Sequence, residues 1–170
     1  MKHIEISKRI FHFKQPAGTS RGIYTTRQSY FLTLTDDGMP GIKGVGECAP
    51  LPKLSCDDLP DYETILHQIC KLVESTDKIP YDLLRPYPSI LFGLETAFAQ
   101  LKAQGSTMLF DTPFGRGEEG IRINGLVWMG SFDEMAERLE AKLRQGFHCV
   151  KLKIGAIDFE KEIELIRHIR

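Results

Sequence analysis

The residues of this chain best suited to chemistry are two lysines, Lys151 and Lys153, in the run Val150-Lys151-Leu152-Lys153-Ile154. In a strand, residues two apart share a face. Val150, Leu152 and Ile154 then point toward covering helices, and both lysines point the other way. In a closed barrel that other face is the interior, normally filled by Val, Ile or Leu, where an unpaired ammonium is costly. Two ammonium groups ~7 Å apart along a strand repel by roughly 2.4 kcal/mol at an effective dielectric of ~20. That repulsion favours loss of one proton, the condition a general base near neutral pH requires. The same spacing also fits an exposed edge strand whose lysines sit in water and discourage aggregation. The pattern alone does not separate the two.

Other constellations carry less. Gly44-Val45-Gly46 is not followed by the third glycine and helix of a dinucleotide site. His3, His12, His67, His148 and His168 show neither H-E-x-x-H spacing nor a paired cysteine. Cys48, Cys56, Cys70 and Cys149 include no C-x-x-C pair, so buried reduced thiols in a cytoplasmic protein are expected. Lys plus Arg is 22 against Asp plus Glu 23, a net charge of −1. No overall basic field exists to hold nucleic acid or an anionic membrane. The N-terminus does not read as a secretory signal, and no run approaches the ~20 apolar residues of a membrane span.

The lysine strand must be held by its neighbours, and the pattern around it is β-α-β-α. A short strand is expected over 121–128 and a capping box at Ser131-Phe132-Asp133-Glu134. The helix that follows presents Met135, Leu139 and Leu143 and stops at Gly146. After the lysine strand, expected over 149–154, Gly155 breaks the pattern and Asp158 can cap a helix carrying Phe159, Ile163 and Ile166. Alternating strands and helices indicate a parallel α/β architecture.

The first 120 residues read differently. Ile4, Ile6 and Ile10 mark a first strand, and 15–22 a flexible loop. A second strand over 29–35 alternates Tyr30, Leu32 and Leu34 against Phe31 and Thr33. Asp36-Asp37-Gly38 supplies a turn, with Gly38 free to take positive φ, and a third strand spans 42–47. Pro60 suits a first helical position before Ile65, Leu66, Ile69 and Val73. Ser89 suits the cap of a second helix carrying Leu91, Leu94, Phe98 and Leu101 and closed by Gly105. The expected organisation is therefore an α+β domain over 1–120, a three-stranded antiparallel sheet plus helices, and two βα units over 121–170. Two such units cannot close a barrel, which takes about 250 residues. A truncated chain is the expectation.

The K-x-K strand, preceded by Gly146-Phe147 and followed by Gly155, resembles the second barrel strand of the enolase superfamily's muconate-lactonizing branch. Gly44-Val45-Gly46-Glu47-Cys48-Ala49-Pro50-Leu51-Pro52 resembles the G-x-G-E-x-x-P-L-P segment of the capping domain in the o-succinylbenzoate synthase family. The resemblance runs along nearly the whole chain, with the glycine segment first and the lysine strand about a hundred residues later.

The resemblance implies an α+β capping domain followed by the first two βα units of an enolase-type (β/α) barrel. It implies that Lys153 is the acid/base residue and that Lys151 assists electrostatically. It places 18–22, with Arg21 and Ser20, in a flap over a carboxylate substrate, and Leu51, Pro52 and Leu54 on a second loop lining the pocket. Glu47 more naturally braces a turn than does chemistry. The family's Mg²⁺ or Mn²⁺ is held by acids on later barrel strands, so no metal ligand is expected before Arg170 and this chain alone is expected to be inactive. The implied reaction is dehydration of 2-succinyl-6-hydroxy-2,4-cyclohexadiene-1-carboxylate to o-succinylbenzoate, in menaquinone biosynthesis. The runner-up is N-succinylamino acid racemase or dipeptide epimerase activity; a non-catalytic α/β binding module is the alternative from another class. The open edge of the lysine strand is expected to be covered by a homo-oligomeric or swapped contact.

Overall fold

A computed structural model of the protein describes residues 1–19, 22–155 and 157–168. The chain divides into two compact units, Met1–Phe13 with Thr26–Glu118 and Lys14–Thr25 with Glu119–Arg170.

Three strands, β1 (Lys2–Thr19), β2 (Gly22–Asp36) and β3 (Lys43–Cys48), form one sheet in the order β1-β2-β3. β2 and β3 are antiparallel, with Tyr30 opposite Cys48 and Thr35 opposite Lys43. Tyr30, Leu32 and Leu34 are buried, as their alternation requires. Helices α1 (Tyr62–Thr76) and α2 (Pro88–Lys102) supply the rest of the first core, with Leu66, Val73, Ile90 and Leu94 fully enclosed. Each such side chain contributes about 1.5–3 kcal/mol by leaving water. α2 packs on β3 at backbone contact distance: a Cβ added to Gly44 would overlap the Ala97 carbonyl oxygen, and one on Gly46 the Gly93 carbonyl oxygen.

Several local expectations are corrected in these strands and helices. Residues 15–19 are not a loop but the end of β1, and Gly22 already belongs to β2. β1 is an edge strand, a place in a sheet where proline is tolerated. Ile10 is 61% exposed, outside the core that holds Ile4 and Ile6. The positive-φ glycine after β2 is Gly41 (φ 81°) and not Gly38, whose N–H is instead accepted by the Asp36 carboxylate at 2.9 Å. α1 begins at Tyr62 after Asp61, two residues beyond Pro60. α2 begins at Pro88, and Ile90, Gly93 and Ala97 are buried on it with Leu94 and Leu101, while Leu91 and Phe98 are only partly covered. It ends in a Schellman arrangement: Gly105 donates to Gln100 O and Gln104 to Leu101 O, with Gln104 itself left-handed. All four cysteines are free, but only Cys48 and Cys70 are buried; Cys56 and Cys149 are exposed. Burial pushes the Cys70 thiol up to about 12, with Glu74 adding to the effect.

In the second unit β4 (Gly125–Val127) and β5 (Val150–Leu152) are parallel, and α3 (Phe132–Arg144) and α4 (Phe159–His168) accompany them. Both strands are shorter than expected, three residues each. Val127, Met135, Leu139 and Leu165 form the buried cluster, with Val150 and Leu152 packed against it. Ile154 is 51% and Phe159 66% exposed, so neither joins that core. Both halves of the capping box at Ser131 and Glu134 are present. α4 is oriented by Asp158, whose Oδ1 accepts the Glu160 N–H at 3.0 Å. Among the described residues, no helix is long and apolar enough to cross a membrane.

Candidate active site

β5 presents the two lysines as period-two alternation requires. Val150 and Leu152 pack into the cluster under the helices, so Lys151 and Lys153 project from the opposite face. Lys151 is level with Leu126 of β4. Lys153 lies one step past the strand's end and continues the ladder, its N–H donating to Val127 O at 3.1 Å. Lys151 is exposed and Lys153 half-buried. Lys153 thus stands at the C-terminal end of a parallel pair, the end at which (β/α) barrels gather their reactive groups.

The surroundings of Lys153 contain groups that sequence reasoning passed over. Its Nζ lies 5.7 Å from the centre of the Trp128 ring, within cation–π range. The register brings the two residues near each other: Val127 pairs with Leu152, and the next residues along the chain are Trp128 and Lys153. Pairing the two short strands in parallel would have revealed it. On the other side, the Gly155 N–H donates to Glu162 Oε1 at 2.5 Å. Glu162 is only 5% exposed, although helical periodicity had given the buried face of α4 to Phe159, Ile163 and Ile166. A buried carboxylate is stable there because it satisfies a backbone donor in the turn that follows Lys153.

Leu51, Pro52 and Leu54 lie on one loop of the first unit, between β3 and α1. Leu51 is half-buried, and Pro52 and Leu54 are exposed. The loop is tied internally: Leu51 O accepts the N–H groups of Leu54 at 3.1 Å and Ser55 at 2.9 Å, and Ser55 Oγ accepts that of Leu51 at 2.8 Å. Pro52 borders a cleft of about 240 Å³ with Pro50, Tyr30, Tyr62 and Glu63 among its walls. Glu63 accepts from Lys8 Nζ at 2.9 Å and from Tyr30 OH at 3.0 Å. Those two bonds, the lysine's first, hold its carboxyl below the usual range. Asp57, at the loop's far end, is buried and accepts from both the N–H (2.8 Å) and the Oγ (2.6 Å) of Ser89. Ser89 is therefore capped by Asp57 and does not itself cap α2, correcting the expectation. Glu47 joins neighbouring strands instead of bracing a turn: Ser29 Oγ donates to its Oε1 at 2.7 Å, and Arg27 lies 3.7 Å away. Ser20 and Arg21 lie outside the described residues. Among the described residues, no group of three or more His, Cys, Asp or Glu is arranged to hold a metal ion.

An antiparallel three-stranded sheet with helices, leading into parallel βα units with one lysine at a strand's C-terminal end and another two residues before it, is the capping domain and barrel start of the enolase superfamily. Residues 14–101 match the family described as MenC, N-terminal domain, and the chain belongs to that family. It is 36% identical over 192 residues to an o-succinylbenzoate synthase of Desulfotalea psychrophila, covering 93% of this chain and 50% of the relative. The crystal structure of MenC from that organism matches with a TM-score of 0.63 at 30% identity, over 99% of this chain and 53% of that one. An L-Ala-D/L-Glu epimerase of Bacillus subtilis is 26% identical over 176 residues, 98% of this chain and 48% of the relative. The o-succinylbenzoate synthase of Thermosynechococcus elongatus, complexed with Mg in its active site, shares the fold: TM-score 0.65, 20% identity, 98% of this chain and 47% of that one. The chain spans about half the length of the curated relatives it matches.

Proposed function

We propose that this chain carries the capping domain and the proton-transfer lysines of an o-succinylbenzoate synthase, a dehydratase of menaquinone biosynthesis acting in the cytoplasm. The carrying observation is the 36% identity to a synthase, against 26% to an epimerase. The domain limits we assign are 1–120 for the capping domain and 121–170 for the first two barrel units.

In this reading Lys153, as the neutral amine, takes the proton α to the substrate carboxylate. The C–H bond breaks, the electron pair moves into the ring, and the C–O bond to the departing hydroxyl breaks. The same proton returns from Lys153 to that hydroxyl, water leaves, and the cyclohexadiene becomes a benzene ring. Lys151 contributes positive charge beside the carboxylate. Arg21 and Ser20, and Leu51, Pro52 and Leu54 on the loop between β3 and α1, are proposed to meet the substrate, with Arg21 toward a carboxylate.

Bound Mg²⁺ or Mn²⁺ supplies counter-charge that makes an α-proton removable. We assign its ligands to later barrel strands, in the part of the relatives that this chain does not match. The chain alone is then inactive. We assign the open edge of β5 to a neighbouring strand, from the rest of the protein or from a second copy.

The test is product analysis with the full-length protein and Mg²⁺. Formation of o-succinylbenzoate from the cyclohexadiene acid is the expected result. Racemisation of N-succinylamino acids or epimerisation of L-Ala-L-Glu without o-succinylbenzoate would make it an epimerase. No turnover of either class would favour a binding module.

A further inference from the structure

We propose that Trp128 is the positioning residue for Lys153, holding its ammonium over the indole face while the lysine carries the substrate's proton. The proposal rests on the reading of Lys153 as the proton-transfer group. Lys153 Nζ lies 5.7 Å from the indole centre. Among the described residues, Lys151 has no such aromatic partner.

The backbone that carries the indole is itself held. Arg138 of α3 donates from Nη1 to Trp128 O and to Met129 O, both at 3.2 Å. Arg138 passes close to Gly130, where a Cβ would come within 2.9 Å of its Nη1 and 2.8 Å of Glu134 Oε2. The next residue, Ser131, opens α3 through its capping box with Glu134. Helix α3 therefore fixes the backbone from 128 to 131, and the Trp128 side chain inherits that order. Trp128 Nε1 is buried and has no hydrogen-bond partner among the described residues. The group that the indole offers to Lys153 is its π face.

The ring quadrupole attracts an ammonium and not a neutral amine. The contact therefore strengthens once Lys153 has taken the α-proton from carbon. It keeps a side chain with four rotatable bonds aimed at the hydroxyl that must receive that proton. Loss of the ring leaves substrate binding intact and slows the proton's delivery, so kcat falls while KM holds.

The experiment uses the full-length enzyme with Mg²⁺, labelled with ¹³C in lysine, and the variants Trp128→Leu and Trp128→Phe. In the wild type the ε-CH₂ resonance of Lys153, assigned by its loss in Lys153→Arg, is expected upfield of the other lysines because it lies over the ring. The shift is expected to vanish in Trp128→Leu and largely persist in Trp128→Phe, which keeps a π face. Turnover is expected to fall ~10-fold in Trp128→Leu with KM changed less than ~2-fold, and to recover in Trp128→Phe. An unshifted wild-type resonance overturns the proposal even if Trp128→Leu does not fold. So does a shifted resonance combined with unchanged kcat in Trp128→Leu. A shifted resonance with near-normal turnover in Lys153→Ala would instead sink the reading of Lys153 as the base and leave the contact purely structural.

Discussion

Gly46 of β3 lies against Gly93 of α2 so closely that a Cβ on Gly46 would overlap the Gly93 carbonyl oxygen. Gly44 stands in the same relation to Ala97, and a Cβ on Gly93 would collide with Cys48 Sγ. The glycines of the G-x-G-E segment are therefore packing residues that let a helix rest on a strand. They hold the start of the 49–61 loop in place. Gly46→Ala is expected to destabilise the chain by about 3 kcal/mol or more, because the overlapped atoms are backbone and cannot rotate away. Val45→Ala, at a largely exposed position between them, is expected to stay within about 0.5 kcal/mol. Denaturant unfolding of both variants checks this, and equal midpoints would refute it.

Asp57 is the tertiary cap of α2. Asp57→Ala removes the acceptor of two bonds from Ser89 and leaves the N–H buried beside Tyr62 OH, which lies 2.6 Å from Ser89 Oγ. The expected cost is about 1–3 kcal/mol, with Asp57→Asn milder because an amide oxygen still accepts. Thermal melts of the two variants separate these outcomes; equal losses would mean that the charge, and not the acceptor, matters.

Strand alternation at Tyr30, Leu32 and Leu34 and the capping box at Ser131 were legible in the sequence because each is set by residues within a few positions of one another. The lysine strand was legible for the same reason: one short run fixes which side chains share a face. What escaped was set by partners far away in the chain. Ser89 has good capping chemistry, but Asp57, 32 residues earlier, takes its N–H and the helix starts at Pro88. Glu162 reads as a solvated helix residue until the turn at Gly155 turns its N–H inward. Trp128 looks like the end of a strand until the parallel register sets it beside Lys153. Residues 15–19 carry Pro and Gly and read as a loop, yet an edge strand accommodates both.

The capping box carries a pH signature. Ser131 N–H, then Ser131 Oγ, then Arg138 hold the Glu134 carboxyl below the ordinary glutamate range. A depressed carboxyl stabilises the fold above its unfolded value of ~4.3, and that contribution is lost as pH falls through the lower folded value. The Tm gap between wild type and Glu134→Ala is therefore expected to be constant from about pH 5.5 to 7 and to close below about pH 4. A gap that widens in acid would contradict the assignment.

Lys151→Ala, in the full-length enzyme, is expected to be the milder of the two lysine variants. Lys151 is one strand step from Lys153 and shares its face, but it is exposed and lies away from the strand's C-terminal end. Its loss should change the charge beside the substrate carboxylate without removing the base. Comparing kcat for Lys151→Ala and Lys153→Ala under saturating Mg²⁺ tests the order, and a larger loss for Lys151→Ala would invert the assigned roles.

The central claim is that Lys153 moves the proton, and the direct measurement is turnover of purified full-length Lys153→Ala and Lys153→Arg with Mg²⁺ saturating. Lys153→Ala is expected to lose ~10²–10⁴-fold in kcat, the usual contribution of a positioned proton-transfer group. Lys153→Arg is expected to fail nearly as badly, because a guanidinium stays protonated near neutral pH and cannot accept a proton. Near-normal turnover in Lys153→Ala would contradict the account and return the K-x-K strand to a structural role.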